Sequence, residues 1–241
     1  MGQEEWKRLA ADQALDFVKD SMVIGLGSGT TLEKVIEIIG EKESKATFVS
    51  SSSRTQELVE KFGLHSETLN NESELDLVID GADEVAPDFS MIKGGGGAHT
   101  QEKIIAAATD EILIVIDKTK LVEKLGEKRP VPIEVIPFSL NFVTQKLREL
   151  NVDSKLRETA SGDPFKTDNK NYILDANFGL IEKPARLESR LNNIPGVVDN
   201  GIFVNLADKV LVGHEGGCEV LSSERDFQDF YQRMKSSKSG T

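Results

Sequence analysis

Asp80, Asp83, Lys93 and Glu102 fall within 23 residues, in the segments "DGADE" (80–84) and "KGGGGAHTQEK" (93–103). Closely placed carboxylates can exchange protons with the hydroxyl groups of a ligand. A lysine followed by Gly94, Gly95, Gly96 and Gly97 sets a full positive charge beside backbone amides that no side chain shields. Such backbone is loose, each glycine giving up roughly 0.5–1 kcal/mol of order relative to alanine. Each feature also has a plainer reading. Asp80 and Asp83 around Gly81 and Ala82 suit an aspartate-rich turn. Glu102 suits the first turn of a helix, where a negative charge meets the dipole, and Lys93 taken singly is a surface lysine. The convergence of all four favours a site.

A second glycine-containing segment, "GLGSGTT" (25–31), follows an apolar run and opens a helical pattern, an arrangement whose backbone N–H groups suit a phosphate. A Walker loop would need a lysine before its Ser/Thr, and none is present. A dinucleotide fingerprint would need a third glycine where Thr30 stands, and an acid after the next strand, where "SSSSR" stands. Two readings are left: a monophosphate held by Ser28, Gly29, Thr30 and Thr31, or a tight turn with no ligand. His65, His99 and His214 are scattered without the spacing of a metal site, so neither a metal nor a cofactor is expected. His99 reads as incidental.

The elements that must carry these residues alternate. Trp6, Leu9, Ala10, Ala14, Phe17 and Val18 recur at helical spacing, then "MVIGLG" reads as a buried strand. Leu32, Val35, Ile36 and Ile39 mark one face of a helix. "ATFVS" is a second strand, and Leu58, Val59 and Phe62 mark another helix. "LDLVID" and "ILIVID" are further strands, each ending in aspartate. This order predicts an α/β fold, a Rossmann-like, mostly parallel sheet with helices on both faces and function at the carboxyl ends of its strands. Three prolines between 130 and 137 suggest a boundary. Beyond it the pattern reads strand 131–137, helix 139–150, strands 153–159 and 171–177, helix 184–193 and strand 197–204, a smaller ferredoxin-like α+β domain. The expected division is therefore residues 1–129 with 205–241 as the Rossmann-like catalytic domain, and 130–204 as the small one. "KVLVG" (209–213) would return to the first sheet. A last amphipathic helix carries Phe227, Phe230, Tyr231 and Met234 with Ser223 as its N-cap, and the tail "KSSKSGT" is expected to fray.

Composition excludes several classes of function. The 241 residues are 38% hydrophobic and 29% charged, as in a globular protein. A net charge of −12 argues against a nucleic-acid partner, which calls for a basic face, yet leaves room for a local anion pocket. The longest purely apolar run, "ILIVI", is far too short to cross a bilayer, so no membrane partner is expected. Cys218 is the single cysteine and reads as a small hydrophobe. "MGQEEWKRLA" lacks the pattern of a signal peptide, and the cytoplasm is the expected location.

Taken together, "GLGSGTT", "DGADEV", "KGGGGA", "QEKII" and "IPGVV" occur in an order, from about residue 5 to residue 213, that resembles the type A ribose-5-phosphate isomerases. The resemblance implies an aldose-ketose isomerase of the pentose phosphate pathway that binds a small sugar phosphate and assembles as a homodimer or homotetramer. It implies Glu102 as the base moving a proton between carbons 2 and 1. Asp80 and Asp83 would bind hydroxyls and help open the ring, and Lys93 with residues 94–96 would stabilise the enediolate. Ser28, Gly29, Thr30, Thr31, Gly81, Ala82 and Lys120 would bind substrate, with a looser match for Lys7 at the phosphate. Gly97 and His99 depart from the family pattern, where alanine or an aliphatic residue is common, and the last helix runs past the usual end. Two rivals are a sugar-phosphate-sensing module, which would not need a proton-shuttling Glu102, and an isomerase-deaminase acting on amino-sugar phosphates.

Overall fold

The computed structural model describes residues 2–238. Helix α1 (Gln3–Ala14) leads to β1 (Val23–Leu26), α2 (Thr30–Glu41), β2 (Thr47–Ser50), α3 (Ser53–Lys61), β3 (His65–Glu67) and β4 (Leu77–Asp80). Two short strands, β5 (Glu84–Val85) and β6 (Met91–Ile92), precede the glycines, which open α4 (His99–Ala106) and lead to β7 (Ile112–Asp117). Next come β8 (Val131–Val135), α5 (Leu140–Glu149), β9 (Asp153–Leu156), β10 (Tyr172–Asn177), α6 (Pro184–Asn192) and β11 (Val197–Asn200). The chain ends with β12 (Ile202–Phe203), β13 (Lys209–His214), β14 (Gly217–Leu221) and α7 (Glu224–Lys238). Among the described residues no helix is long and apolar enough to cross a membrane.

The main sheet has the order β14-β13-β7-β4-β1-β2-β3 and is parallel except for β14, which folds back on β13. The chain starts at the middle, runs outward through β2 and β3, then returns to the other side of β1 as β4. That reversal leaves a crevice at the carboxyl ends of β1 and β4, where α/β sheets place their ligands. Every residue of β4 and β7 is buried, because both faces of the sheet are covered. One face packs under Ala10 and Ala14 of α1, Leu32, Val35, Ile36 and Ile39 of α2, and Val59 of α3. Ile105 and Ala106 of α4 and Phe227 and Phe230 of α7 cover the other. The last helix is thus part of the core, and Ser223 caps it by accepting from the Asp226 N–H at 3.2 Å. Residues 235–238 of the expected frayed tail belong to this helix, and 239–241 lie outside the described residues.

The second sheet, β11-β8-β10-β9, is antiparallel at every pairing, the ferredoxin-like arrangement expected of β-α-β-β-α-β. Its core takes in Ile92, Val122 and Leu125 alongside Ile133, Val143, Leu147 and Leu191, so apolar contact runs without a break from one unit into the other.

The expected strand 197–204 divides in two. Asn200 still pairs with β8, while Ile202 and Phe203 pair with β6 in a third sheet, β12-β6-β5. Gly201 makes the crossing: its N–H donates to the Pro132 carbonyl at 2.8 Å and its carbonyl accepts from the Lys93 N–H at 2.9 Å. A Cβ there would stand 2.2 Å from the Lys93 carbonyl oxygen, closer than any real side chain tolerates. Gly201→Ala is therefore expected to lower unfolding stability by about 1–3 kcal/mol, the usual penalty of overpacking. Chemical denaturation of both forms checks this, and equal midpoints would refute it.

Candidate active site

Residues 28–31, 81–83 and 93–96, with Glu102 and Lys120, line one cleft above the β1/β4 crevice, and Lys7 joins them from α1. Asp80 lies beneath, its carboxyl against the end of β1, where a Cβ on Gly27 would come within 1.7 Å of it. Every residue expected at the site is thus brought together.

At the base of the cleft three ionisable side chains meet out of water. The Lys93 ammonium stands 2.8 Å from Asp80 Oδ2 and 3.1 Å from Glu102 Oε2, and donates to the Gly81 carbonyl at 2.5 Å. All three residues are at most 3% exposed. Burial, joined by the Glu102 charge, outweighs the pull of Lys93 and raises the Asp80 carboxyl to about 7. Burial alone would lower Lys93, but the charges of Asp80 and Glu102 outweigh it and hold the amine protonated well above its ordinary range. A carboxyl poised near neutrality can both give and take a proton.

Ser28 lines the cleft beside Gly29, Thr30 and Thr31. Its hydroxyl donates to Glu102 Oε1 at 2.6 Å, fixing that oxygen and leaving Oε2 with no aligned hydrogen bond, only the nearby ammonium. The anion-binding features sit one residue further on. Gly29 caps α2 with φ +102°, and the Thr30 hydroxyl accepts from Lys7 Nζ at 2.9 Å. Helix N-terminus, hydroxyl and ammonium together suit a phosphate.

The glycines form a tight turn: Gly94 and Gly97 have φ of +98° and +88°, and the Gly97 N–H donates to the Gly94 carbonyl at 3.0 Å. Asp83 accepts from the Gly95 N–H at 2.8 Å and lies 4.0 Å from Lys120 Nζ. The Gly96 N–H takes no partner among the described residues. Arg157, which the sequence gave no reason to single out, donates to the Gly94 and Gly95 carbonyls from the second sheet at 2.8 and 3.1 Å. A lone arginine one residue past an edge strand carries no signal in sequence.

His99 lies fully buried beneath the turn, with neither ring nitrogen hydrogen-bonded to any of the described residues. Nearby, Glu134 accepts from Thr100, Thr167, Asn169 and Asn171. Cys218 is half-buried, and burial pushes its thiol up to about 12, an inert side chain as expected. A wider hollow adjoins the cleft at Asp83 and Lys120. Most of its cations are already engaged: Lys118 with Glu215, Lys128 with the Thr119 and Leu121 carbonyls, Lys235 with Glu123. The smaller cleft, where buried ionisable groups converge, is the better candidate. Among the described residues no three His, Cys, Asp or Glu side chains are grouped to hold a metal ion.

Residues 47–217 match the family model described as ribose 5-phosphate isomerase A (phosphoriboisomerase A). The chain is 44% identical over 216 residues to ribose-5-phosphate isomerase A of Thermosynechococcus vestitus, covering 87% of this chain and 92% of that protein. It is 42% identical over 227 residues to the protein of that name from Pyrococcus abyssi, covering 92% and 99%. Among solved structures it resembles a D-ribose-5-phosphate isomerase in complex with phospho-erythronic acid, with a TM-score of 0.90, 40% identity and coverage of 92% of this chain and all of that one. The enzyme of Methanocaldococcus jannaschii gives a TM-score of 0.87 at 40% identity, over 91% and 99%.

Burial holds the His99 imidazole below its ordinary range, against the opposing charges of Glu134, Glu102 and Asp199, while Lys103 adds to the lowering. The folded ring stays neutral where the unfolded chain takes up a proton, below about pH 6.5. Stability is complete above that pH and falls below it, by about 1.4 kcal/mol per pH unit until the folded ring also protonates. His99→Leu removes both the proton uptake and two unpartnered nitrogens. The variant should unfold at higher temperature than the parent, by a margin that widens from pH 7 to pH 5. Parallel melting curves across that range would overturn this account.

Proposed function

The chain belongs to the ribose 5-phosphate isomerase A family, and on that premise we propose that it interconverts D-ribose 5-phosphate and D-ribulose 5-phosphate through an enediolate, a step of the non-oxidative pentose phosphate pathway. The observation that carries the reading is the buried Lys93 ammonium between Asp80 and Glu102, at the foot of a cleft rimmed by a glycine turn and a helix N-terminus.

We assign the roles as follows. The N-terminus of α2, with Thr30, Thr31 and Lys7, holds the 5-phosphate and fixes the sugar so that binding energy at one end orients the other. Asp80, poised near neutrality, and Asp83 handle the hydroxyl protons of ring opening. Glu102 takes the proton from C2 of the open aldehyde. The C2–H electrons form the C1–C2 double bond and the carbonyl electrons move onto O1. Lys93 and the Gly96 N–H face this charge. Glu102 returns its proton to C1, while the O2 proton passes to O1, leaving a ketone at C2 and a primary alcohol at C1. The position between the two carboxylates is filled by an ammonium, so the chain itself supplies the positive charge that a divalent cation would bring to a hydride-shift isomerase.

For the assembly, we assign a second copy of this chain to the exposed apolar face of the small unit, formed by Ile136, Phe138, Phe142 and Val198. The Ile136 N–H bonds the Gly196 carbonyl, which brings the segment that carries Val198 beside Ile136. The phosphorylated substrate and single unpaired cysteine fit the cytoplasm.

A coupled assay decides the function. Ribose 5-phosphate should be turned over with a chelator present and with solvent deuterium entering the product, and glucosamine 6-phosphate should not. Glu102→Gln should lower kcat by roughly 10²–10⁴ while phospho-erythronic acid still binds. Turnover of the amino sugar alone, or a Glu102→Gln enzyme within about tenfold of wild type, would reject the assignment. In sedimentation, the wild type should run as a homodimer or homotetramer and Phe138→Asp as a smaller species. A monomeric wild type would discard the proposed interface.

A further inference from the structure

The Arg157 guanidinium is held by Asp175, which accepts from its Nε at 2.9 Å and from its Nη2, and both side chains belong to the second sheet unit. Its remaining nitrogen, Nη1, reaches out of that unit to the carbonyl oxygens of Gly94 and Gly95. In a trans peptide the C=O and N–H point in opposite directions. The peptide joining Gly94 to Gly95 shows the result, with Arg157 on its oxygen and Asp83 on its N–H at 2.8 Å. The peptide joining Gly95 to Gly96 has Arg157 on its oxygen too, so its N–H, on cleft-lining Gly96, points away from Arg157 and takes no partner among the described residues. Glycine has no side chain to fix these peptides, and each could otherwise rotate cheaply. The Phe165 ring, over which the guanidinium also lies, closes on the turn from the same side, within 2.5 Å of a Cβ placed on Gly97.

We propose that Arg157, braced by Asp175, is a positioning residue for the isomerase reaction: it fixes the glycine turn so that the Gly96 N–H faces the enediolate oxygen, and polarises that peptide into a stronger donor. The inference rests on the isomerase reading of the site. Donors fixed before charge develops stabilise the transition state more than the ground state. Losing Arg157 should therefore reduce kcat more than it raises KM.

The test compares Arg157→Ala, Arg157→Lys and Asp175→Asn with the wild type in ribose 5-phosphate turnover and in binding of phospho-erythronic acid, whose carboxylate stands in for the enediolate oxygens. Arg157→Ala should lose roughly tenfold or more in kcat, below the roughly 10²–10³ that removing a donor itself costs, with KM within about threefold. Its affinity for phospho-erythronic acid should fall in step with kcat/KM, and added guanidinium should restore part of the rate. Arg157→Lys, which cannot grip Asp175 and two carbonyls at once, and Asp175→Asn should fall in between. If Arg157→Ala does not fold, the other two variants decide. Wild-type kcat and analogue affinity in the folded variants, with Glu102→Gln still inactive, would overturn the positioning role and leave the isomerase reading intact. A wild type inactive on ribose 5-phosphate would instead remove the reading beneath it.

Discussion

Burying an ammonium is costly unless its partners are placed well, and the structure around the cleft is organised to place them. Lys93 has two carboxylates and one carbonyl within hydrogen-bonding or ion-pair distance, and the face of Phe203 5.4 Å from its nitrogen. Each partner comes from a different part of the chain: Asp80 from the end of β4, Glu102 from the first turn of α4, Phe203 from β12. With two carboxylates against one amine, the buried group has room for one more proton, and burial with the Glu102 charge raises the Asp80 carboxyl to about 7, where it exchanges one readily. A site whose resting charge is settled by a shared proton is well suited to moving protons between neighbouring atoms of a ligand.

The parts of this arrangement that were legible in the sequence are those written in local pattern. The apolar runs ending in Asp80 and Asp117 announce parallel strands, and Leu32, Val35, Ile36 and Ile39 announce α2, because periodicity reflects burial directly. The ferredoxin-like order was readable for the same reason. Pairings of two or three residues were not: β3 is a polar edge, and β5, β6 and β12 are too short to have a period. The direction of a side chain was equally hidden. Nothing in "GSGTT" separates Ser28, which turns to Glu102, from Thr30, which turns to Lys7. Arg157 lies 63 residues from the carbonyl it holds, beyond any local signal.

The small unit is more than an appended module. Glu134 receives the Thr100 hydroxyl, Asp199 and the Asn200 carbonyl hold Lys103 beside Glu102, and Arg157 grips the glycine turn. The large sheet supplies the acid at the crevice and the helix N-terminus, while the small unit fixes the helix and loop that close over them. Substitutions in residues 131–200 can therefore alter chemistry without approaching the ligand.

The crossing at Gly201 also bears on how the molecule comes into being. Lys93 is pinned through its backbone to a residue more than a hundred positions later, and β6 has only two residues on which to pair with β12. Neither contact can form until nearly the whole chain has left the ribosome. Contacts of such long sequence separation are slow to close. The part of the central sheet made of β7, β4, β1, β2 and β3 can assemble from segments nearer to one another, but β13, β14 and the contacts that hold the amine wait for the last sixth of the chain. A nascent or truncated molecule would thus pass through a compact state with its strands in register and its cleft still inert.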